Sequence, residues 1–465
     1  MNVAFEPHGD TSSRRTTSAF AAIIFGGALV AGCVSYHPRP LPPGTDLKGN
    51  PAELKVDVAQ LRLGPLQTIG IDARAGFSPL DAAVLAALNN PDLQAKRAGL
   101  GVSAAQVFAA GLLPDPQIST GVDQPIAGPD THTAFNISPS IDIAALLATA
   151  SARSAAKFTA RQADLDVLWA EWTTAQQARQ LAETALADEA RASFLQQILT
   201  AAVDRAARSA QALARRDAPA QTAAADLAAK LDVQTQLATA AHDALKARRD
   251  LNALLGLDAS VNLPLVNARD DQTYAPQEIQ QALATLPRRR PDLLALQAGY
   301  QAQDAKLRKA ILSQFPLASI AFAYARDPTP TTTLGLSAVL ALPIFNGNRG
   351  EVRMQEATRE QLRTEYQARL DKAGAETTSA AAELAGARAQ AATLAGDVPH
   401  LEAMLGPAPA AFARGDLDSQ AYLALVQSVI GKRADLEDRR LAARMAEIQL
   451  ETALFLPPKT SRAAP

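Results

Sequence analysis

The sequence predicts a mainly α-helical chain with a small β part, built from one pattern used twice. Three observations carry that prediction. "PDLQAKRAG" at Pro91–Gly99 is answered by "PDLLALQAG" at Pro291–Gly299, about 200 residues later. Two Ala-rich stretches, each of about 70 residues, are filled mostly with strong helix formers. Four shorter stretches between these helical blocks alternate apolar and polar residues, the period of a strand.

The repeat rests on four landmarks in order. Pro91-Asp92-Leu93 matches Pro291-Asp292-Leu293, and "AAGLLP" ending at Pro114 matches "AILSQFP" ending at Pro316. Ile137-Ser138 matches Leu336-Ser337, and "LARRD" ending at Asp217 matches "FARGD" ending at Asp416. One match arises easily by chance; four in register mark a duplication. The expected division is 1–32, 33–76, a first repeat 77–270, a second repeat 271–456 and a tail 457–465.

The N-terminus reads as an address. Arg14 and Arg15 precede an apolar run from Ala19 to Val30, followed by "VAGC". A charged start, a short apolar run and small residues before a cut make a secretory signal peptide over 1–32. The run is too short to span a bilayer as a helix. Cys33, the only cysteine, is then the candidate lipidation site, with an incidental cysteine as the alternative. "SRR" hints at a twin-arginine signal, but the following residues fit poorly. The Pro- and Gly-rich stretch after Cys33 reads as an extended tether, assigned to 33–76.

Each half then runs through the same elements. A helix is expected over 78–113 and again over 276–314, with Asn89 or Asn90 capping near Pro91. Strands follow at "PQISTGVDQ" and "FNISPSIDI", and in the second half at "ASIAFAYA" and "TLGLSAVLAL". Phe135, Ile137, Ile141 and Ile143 share one side; so do Ile320, Phe322 and Tyr324, and Leu334, Leu336, Ala338 and Leu340. Pro343 sits where strand must become helix, and Gly347 is free to take the positive φ of a tight turn. Long helices are expected over 144–214 and 347–413, about 100 Å each, which is coiled-coil or helical-barrel length. A polar turn and a returning helix over 219–255 and 419–454 close each half.

Strands of roughly 9–11 residues with one apolar face have the length of membrane β-strands. Soluble hairpins packed on helices remain the alternative. Four strands cannot close a barrel, and an open edge in lipid leaves backbone groups unsatisfied. Strands that enter a bilayer must therefore be shared, for example as about 12 strands from three chains. Net charge is -2, which gives no field for nucleic acid. One cysteine and five scattered histidines suggest no disulfide framework, no metal site and no cofactor site. No nucleophile–base or phosphate-loop pattern argues for an enzyme.

With these residues in hand, the chain resembles the TolC-like outer-membrane factors, close to their lipoprotein branch. The resemblance is carried by "VAGC", "NPDLQAKRAG", "RRPDLLALQAGYQAQDAKLRKAILSQFP", "LNALLGL" and "LSAVLALPIFNGNRG". It covers roughly residues 77–456. It implies a homotrimer in the outer membrane of a Gram-negative bacterium, lipid-anchored and reaching into the periplasm. Each chain would give four strands to one β-barrel and long helices to an α-barrel. It also implies a passive conduit for small molecules, with a periplasmic adaptor and an inner-membrane pump as partners. A polypeptide-secretion channel and a pore-free lipid-anchored scaffold are the competing readings.

The same resemblance places the periplasmic tip and adaptor contact at Arg215, Arg216, Asp217, Arg414 and Gly415. The first turn departs from the family pattern by carrying Arg216 where glycine is expected. Some relatives ring the aperture with aspartates about six and nine residues after the tip glycine. Those positions are Ala421 and Ala424 here, so Asp416 and Asp418 are the candidate ring instead.

Overall fold

The computed structural model describes residues 36–459, apart from 68, 70, 72–75, 129–131, 268–273, 316 and 330. Cys33, the signal segment and Pro316 lie outside the described residues. The chain divides into a unit up to Asp46 and a unit from Leu47 onward. Of the first, residues 36–46 form neither helix nor strand. Everything below concerns the second.

From Leu47 the chain is not the extended tether expected over 33–76. It makes three single 3₁₀ turns, at Pro51–Glu53, Val58–Gln60 and Gly64–Leu66. Leu54, Leu61, Leu63, Leu66 and Ile69 are buried among helical residues. The segment is held by its backbone as well. Lys48 exchanges hydrogen bonds with Gly256 and Asp258, and the Asn89 side chain clamps both backbone groups of Lys55. Its proline and glycine prevent regular structure, but its leucines still have a core to enter.

The single helix expected over 78–113 is two, α1 (Pro79–Asn89) and α2 (Pro91–Ala109). Proline at 91 has no N–H and cannot continue α1. Asn90 instead caps α2, its side chain accepting from the Leu93 amide. α1 starts with a capping box between Ser78 and Asp81. The second copy is cut in the same way by Pro287 and Pro291, into α5 (Pro276–Ala284), α6 (Leu286–Arg289) and α7 (Pro291–Leu312).

The long helix of the first half is α3, Ile143–Ala214, unbroken over 72 residues and about 108 Å. Asp142 caps it through the Ala145 amide. α4 (Ala220–Leu255) returns beside it. In the second half the expected helix over 347–413 is interrupted. α8 (Arg349–Leu405) accommodates Pro399 but stops at Gly406-Pro407, and a short α9 (Ala408–Arg414) follows. α10 (Ser419–Leu454) returns. Pro407 cannot donate, and Gly406 is a weak helix former.

The buried residues collect where the short helices meet the long ones. In the first half, α1 and the Leu54–Ile69 segment pack on α3 around Trp172, Ala175, Ala178 and Ala182. In the second, α5, α6 and the start of α7 pack on α8 and α10 around Ala373, Ala380, Leu384, Leu450 and Leu454. Alanine at the contact positions lets these helix axes approach closely. Trp172 ties the halves together. It is fully buried, lies edge-on to Phe455 at 5.1 Å, and donates to the Thr452 carbonyl.

The four strands are β1 (Gln117–Asp123), β2 (Ala134–Asp142), β3 (Leu317–Arg326) and β4 (Thr332–Leu340). They form one antiparallel sheet in the order β1-β2-β3-β4. The central pair, β2 and β3, joins the two copies. β1 and β4 are its edges.

Candidate functional site

The register of the sheet sorts the side chains of β1 to β3 by face, with Thr120 and, at the end of β3, Arg326 as the polar residues on the apolar side. Ile118 stands opposite Pro139, Thr120 opposite Ile137, and Val122 opposite Phe135. Ile137 stands opposite Tyr324 and Ile141 opposite Ile320. Ile320, Phe322 and Tyr324 then face Ala338, Leu336 and Leu334. Directly paired residues share a face. One face is therefore apolar across all four strands, including β1, whose alternation is the weakest in the sequence. The other face carries Ser119, Gly121, Asn136, Ser138, Ser140, Ala321, Ala323, Thr333, Gly335 and Ser337. A bulge between Leu317 and Ser319 shifts the register only at the base of β3 and β4.

Among the described residues, nothing covers the apolar face. Phe322 is 59% and Leu334 81% exposed, and Ile118, Val122 and Leu336 are exposed with them. A contiguous patch of this kind marks contact with another apolar phase. Among the described residues, no helix is long and apolar enough to cross a membrane. Nor does any group of His, Cys, Asp and Glu among them stand ready for a metal ion.

The junction between β4 and α8 is longer than the sequence suggests. Pro343 does not open the helix; α8 starts six residues later, at Arg349. Gly347 does take a positive φ, +52°, and so does Asn348. The turn is fastened to α7: Asn348 donates to the Ala310 carbonyl, and Gln314 donates to the Gly347 carbonyl.

The two far turns have one geometry. In the first, the Arg216 amide donates to Leu213 and the Asp217 amide to Ala212. In the second, the Gly415 amide donates to Phe412 and the Asp416 amide to Ala411. Both are Schellman caps, with Arg216 (φ +64°) and Gly415 (φ +80°) at the left-handed position. Arg216 thus departs from glycine in residue but not in backbone. The same hydrogen bonds recur at the opposite ends of the returning helices. Gly256 (φ +74°) and Phe455 (φ +51°) hold the left-handed positions there. Each copy keeps glycine at one of its two caps and lacks it at the other.

Phe455 is compensated by its ring contact with Trp172, whereas the Arg216 side chain is exposed. Arg216→Gly is therefore expected to raise stability by about 1 kcal/mol, the strain of a non-glycine residue in this region. Paired thermal melts of wild type and variant measure it; an unchanged or lower midpoint would refute the strain argument.

Around the second turn, Arg414 and Asp416 form an exposed ion pair at 2.8 Å. Asp418 is the N-cap of α10 and accepts from the Ala421 amide. Arg215, Arg216 and Asp217 are all exposed. Phe412 stacks on Tyr422 at 5.1 Å, and the Arg208 guanidinium lies 5.8 Å from the Phe412 ring. This links α3 to the second turn, a contact that neither residue announces in sequence.

The "RRPD" motif proves to be a joint. Arg290 is 1% exposed. It donates to Asp292 at 2.9 Å, to Glu376 at 3.0 Å and to the Ala453 carbonyl at 3.0 Å, and its guanidinium lies 4.6 Å from the Trp169 ring centre. Arg369 adds bonds to Asp292 and Glu376. The first copy makes the same joint with a neutral group: Asn90 donates to the Leu254 carbonyl. In both copies the residue before the proline fastens the short helices to the end of that half's returning helix.

No family profile and no curated protein matches the sequence. Solved structures do match the fold. A membrane protein from Pseudomonas aeruginosa superposes with a TM-score of 0.68 at 17% identity, covering 90% of this chain and 97% of its own. The Campylobacter jejuni CmeC outer membrane channel gives 0.68 at 14% identity, covering 92% and 96%. CusC, described with transmembrane channel formation, gives 0.66 at 17% identity, covering 90% and 99%. At these identities the likeness is one of fold, and it extends over nine tenths of the chain.

Proposed function

We propose that the chain is the outer-membrane channel of a tripartite efflux system, a passive conduit for small molecules such as drugs or metal ions. The observation that carries this reading is the continuous four-stranded sheet, apolar on one face, small and polar on the other, and open at both edges. In lipid those edges must be paired. Three copies joined β4 to β1 close 12 strands, with the apolar face toward lipid and the Ser, Gly, Ala and Asn face toward the lumen. The helices of about 100 Å would then continue the conduit into the periplasm. The shared fold with outer-membrane channels supports this arrangement.

The remaining roles follow from the same reading. Residues 1–32 are the signal peptide, Cys33 is the lipid-bearing residue, and the repeats are 77–270 and 271–456. The turns at Arg215-Arg216-Asp217 and Arg414-Gly415 meet a periplasmic adaptor, which couples the channel to an inner-membrane pump. Three copies of Asp416 and Asp418 surround the aperture and favour cations. A channel for secreted polypeptides would use the same architecture; the lipobox-like "VAGC" and the "RRPDL" motif favour efflux.

The test is to purify the protein from outer membranes and record currents in a planar bilayer. Discrete conductance steps from an SDS-resistant trimer are expected. A monomer extracted without conductance would instead support a lipid-anchored scaffold. Asp416→Asn with Asp418→Asn keeps a capping side chain and is expected to reduce cation selectivity. Unchanged selectivity would remove these aspartates from the aperture.

A further inference from the structure

The duplication leaves one helix contact filled and its counterpart open. α7, in the second copy, lies between two long helices, its own α8 and the α3 of the other copy. Eleven of its residues are buried. α2 is the same helix in the first copy, yet it buries only Leu93. Among the described residues it packs on its own α3, and no second long helix comes substantially against it. The returning helices repeat the inequality. α10 packs on α8 and also on α3, whereas α4 packs on α3 and makes no comparable contact with α8. Each chain thus has an open flank on α2 and another on α8.

The two flanks carry the residues of the filled contact. There, α7 comes so near α3 at Gly299 that a side chain would begin 2.8 Å from Gln162 Oε1. Gly99 holds the place of Gly299, 200 residues earlier. Ser138 with Ser337, and Asp217 with Asp416, keep an offset of 199 at both ends of the long helices, so Gln361 holds the place of Gln162. No atom lies within 4 Å of where a side chain on Gly99 would begin, and Gln361 is exposed. The same glycine and the same glutamine therefore stand ready on surfaces that the described residues of one chain do not bring together.

Charge and shape around this point agree. α2 runs into the sheet and α8 leaves it, as α7 and α3 do, so the helices would lie antiparallel. One turn before Gly99 then meets one turn after Gln361. Those places hold Lys96 and Glu365, both exposed, where the filled contact has Leu296 and Asp166. Lys96 already attracts Asp166 of its own α3, so it would stand between two carboxylates. Asp92 brings the like charge that Asp292 brings to Asp166 in the filled contact. Gln361 donates to Glu365 at 2.7 Å, which holds the two together on α8. On the other side of Gly99, exposed Val102 and exposed Met354 fall on the two flanks.

We infer that α8 of a second copy fills the open flank of α2, with Gln361 of that copy against Gly99 and its Glu365 beside Lys96. Each copy offers α2 on one flank and α8 on the other. Such a contact is heterologous and repeats from copy to copy until it closes as a ring. The number of copies in that ring, three, rests on the channel reading; the contact itself comes from the repeat.

Cross-linking between differently tagged full-length chains tests the contact. Gly99→Cys in one chain and Gln361→Cys in the other are expressed together and treated with an oxidant or a short bismaleimide. A band of twice the chain mass carrying both tags is expected. Either variant expressed alone is expected to give no such band, because only unlike positions meet. Gly101 holds the place of Gln301, which is exposed in the second copy, so Gly101→Cys with Gln361→Cys is the negative control. A second pair of variants needs no cysteine. Gly99→Leu overfills the contact and is expected to lower recovery of SDS-resistant trimer about tenfold, with Gly101→Leu close to wild type. Failure of the mixed pair to link in a protein that still runs as an SDS-resistant oligomer would overturn the contact. So would Gly99→Cys chains that link to one another, or Gly99→Leu assembling as well as Gly101→Leu. Linked copies without conductance would keep the contact and remove the channel; conductance steps from copies that do not link would do the reverse.

Discussion

Phe322→Arg is expected to keep the chain out of the outer membrane. Phe322 lies mid-strand on β3, on the apolar face, opposite Leu336. An arginine on the lipid face near the bilayer centre costs ~2–4 kcal/mol, and a closed trimer carries three copies, so the penalty is ~6–12 kcal/mol per barrel. The neighbouring residue supplies the control. Ala323 pairs with Gly335 on the small, polar face. Ala323→Asn is expected to assemble and at most to alter conductance. The measurement is the fraction of protein recovered from outer membranes as SDS-resistant trimer. Near-total loss for Phe322→Arg beside wild-type recovery for Ala323→Asn supports the assignment of faces. Normal assembly of Phe322→Arg would mean that this face never meets lipid, and the proposed barrel would have to be abandoned.

The second large effect is expected at Arg290. Replacing it by alanine deletes bonds to Asp292, Glu376 and the Ala453 carbonyl and exposes the Trp169 face. Removing one partner from a buried charged network costs ~3–5 kcal/mol, because the remaining charges stay buried. Arg369 still reaches both carboxylates, which places the expected loss at the lower end, about 3 kcal/mol. Lysine keeps the charge but not the planar fork, so Arg290→Lys should recover less than half. Asn90→Ala disrupts the matching joint of the first copy. It loses only a cap and one neutral bond, about 1–2 kcal/mol. Thermal melts and proteolysis at the end of α10 rank the three variants. If Arg290→Ala is no worse than Asn90→Ala, the charged network contributes little, and the joint holds by packing alone.

Much of this architecture was legible in the sequence because it is written in periods. The abundance of strong helix formers and the scarcity of helix breakers mark α3, α4 and α10. The period of two marks the strands and even which residues share a face. Alternation does not name a strand's partner, however. Nothing local in "FNISPSIDI" or "ASIAFAYA" says that these two strands pair across the duplication.

The breaks were harder. Pro91 reads as a helix start, but the helix that precedes it is so short that it merges with its neighbour in a coarse reading, and the same happens before Pro291. The Leu54–Ile69 segment lacks any period, so its leucines gave no sign of a core. The candidate turn residues were placed by resemblance, and the structure gives them a shared backbone geometry rather than a demonstrated role. Gly99 and Gly299 look alike in the repeat. Only the packing of α7 on α3 shows that one of them is already in contact and the other is not.

The left-handed caps carry a last consequence, and it concerns descent. Four positions share one conformation: 216 and 256 in the first copy, 415 and 455 in the second. A single ancestral half with glycine at both positions accounts for all four most simply. On that account each copy gave up one glycine after duplication, and each gave up the opposite one. The replacements were arginine and phenylalanine, neither suited to the conformation. The turns nevertheless kept their hydrogen bonds. A backbone shape, once the rest of a fold depends on it, can outlast the residue that first made it easy.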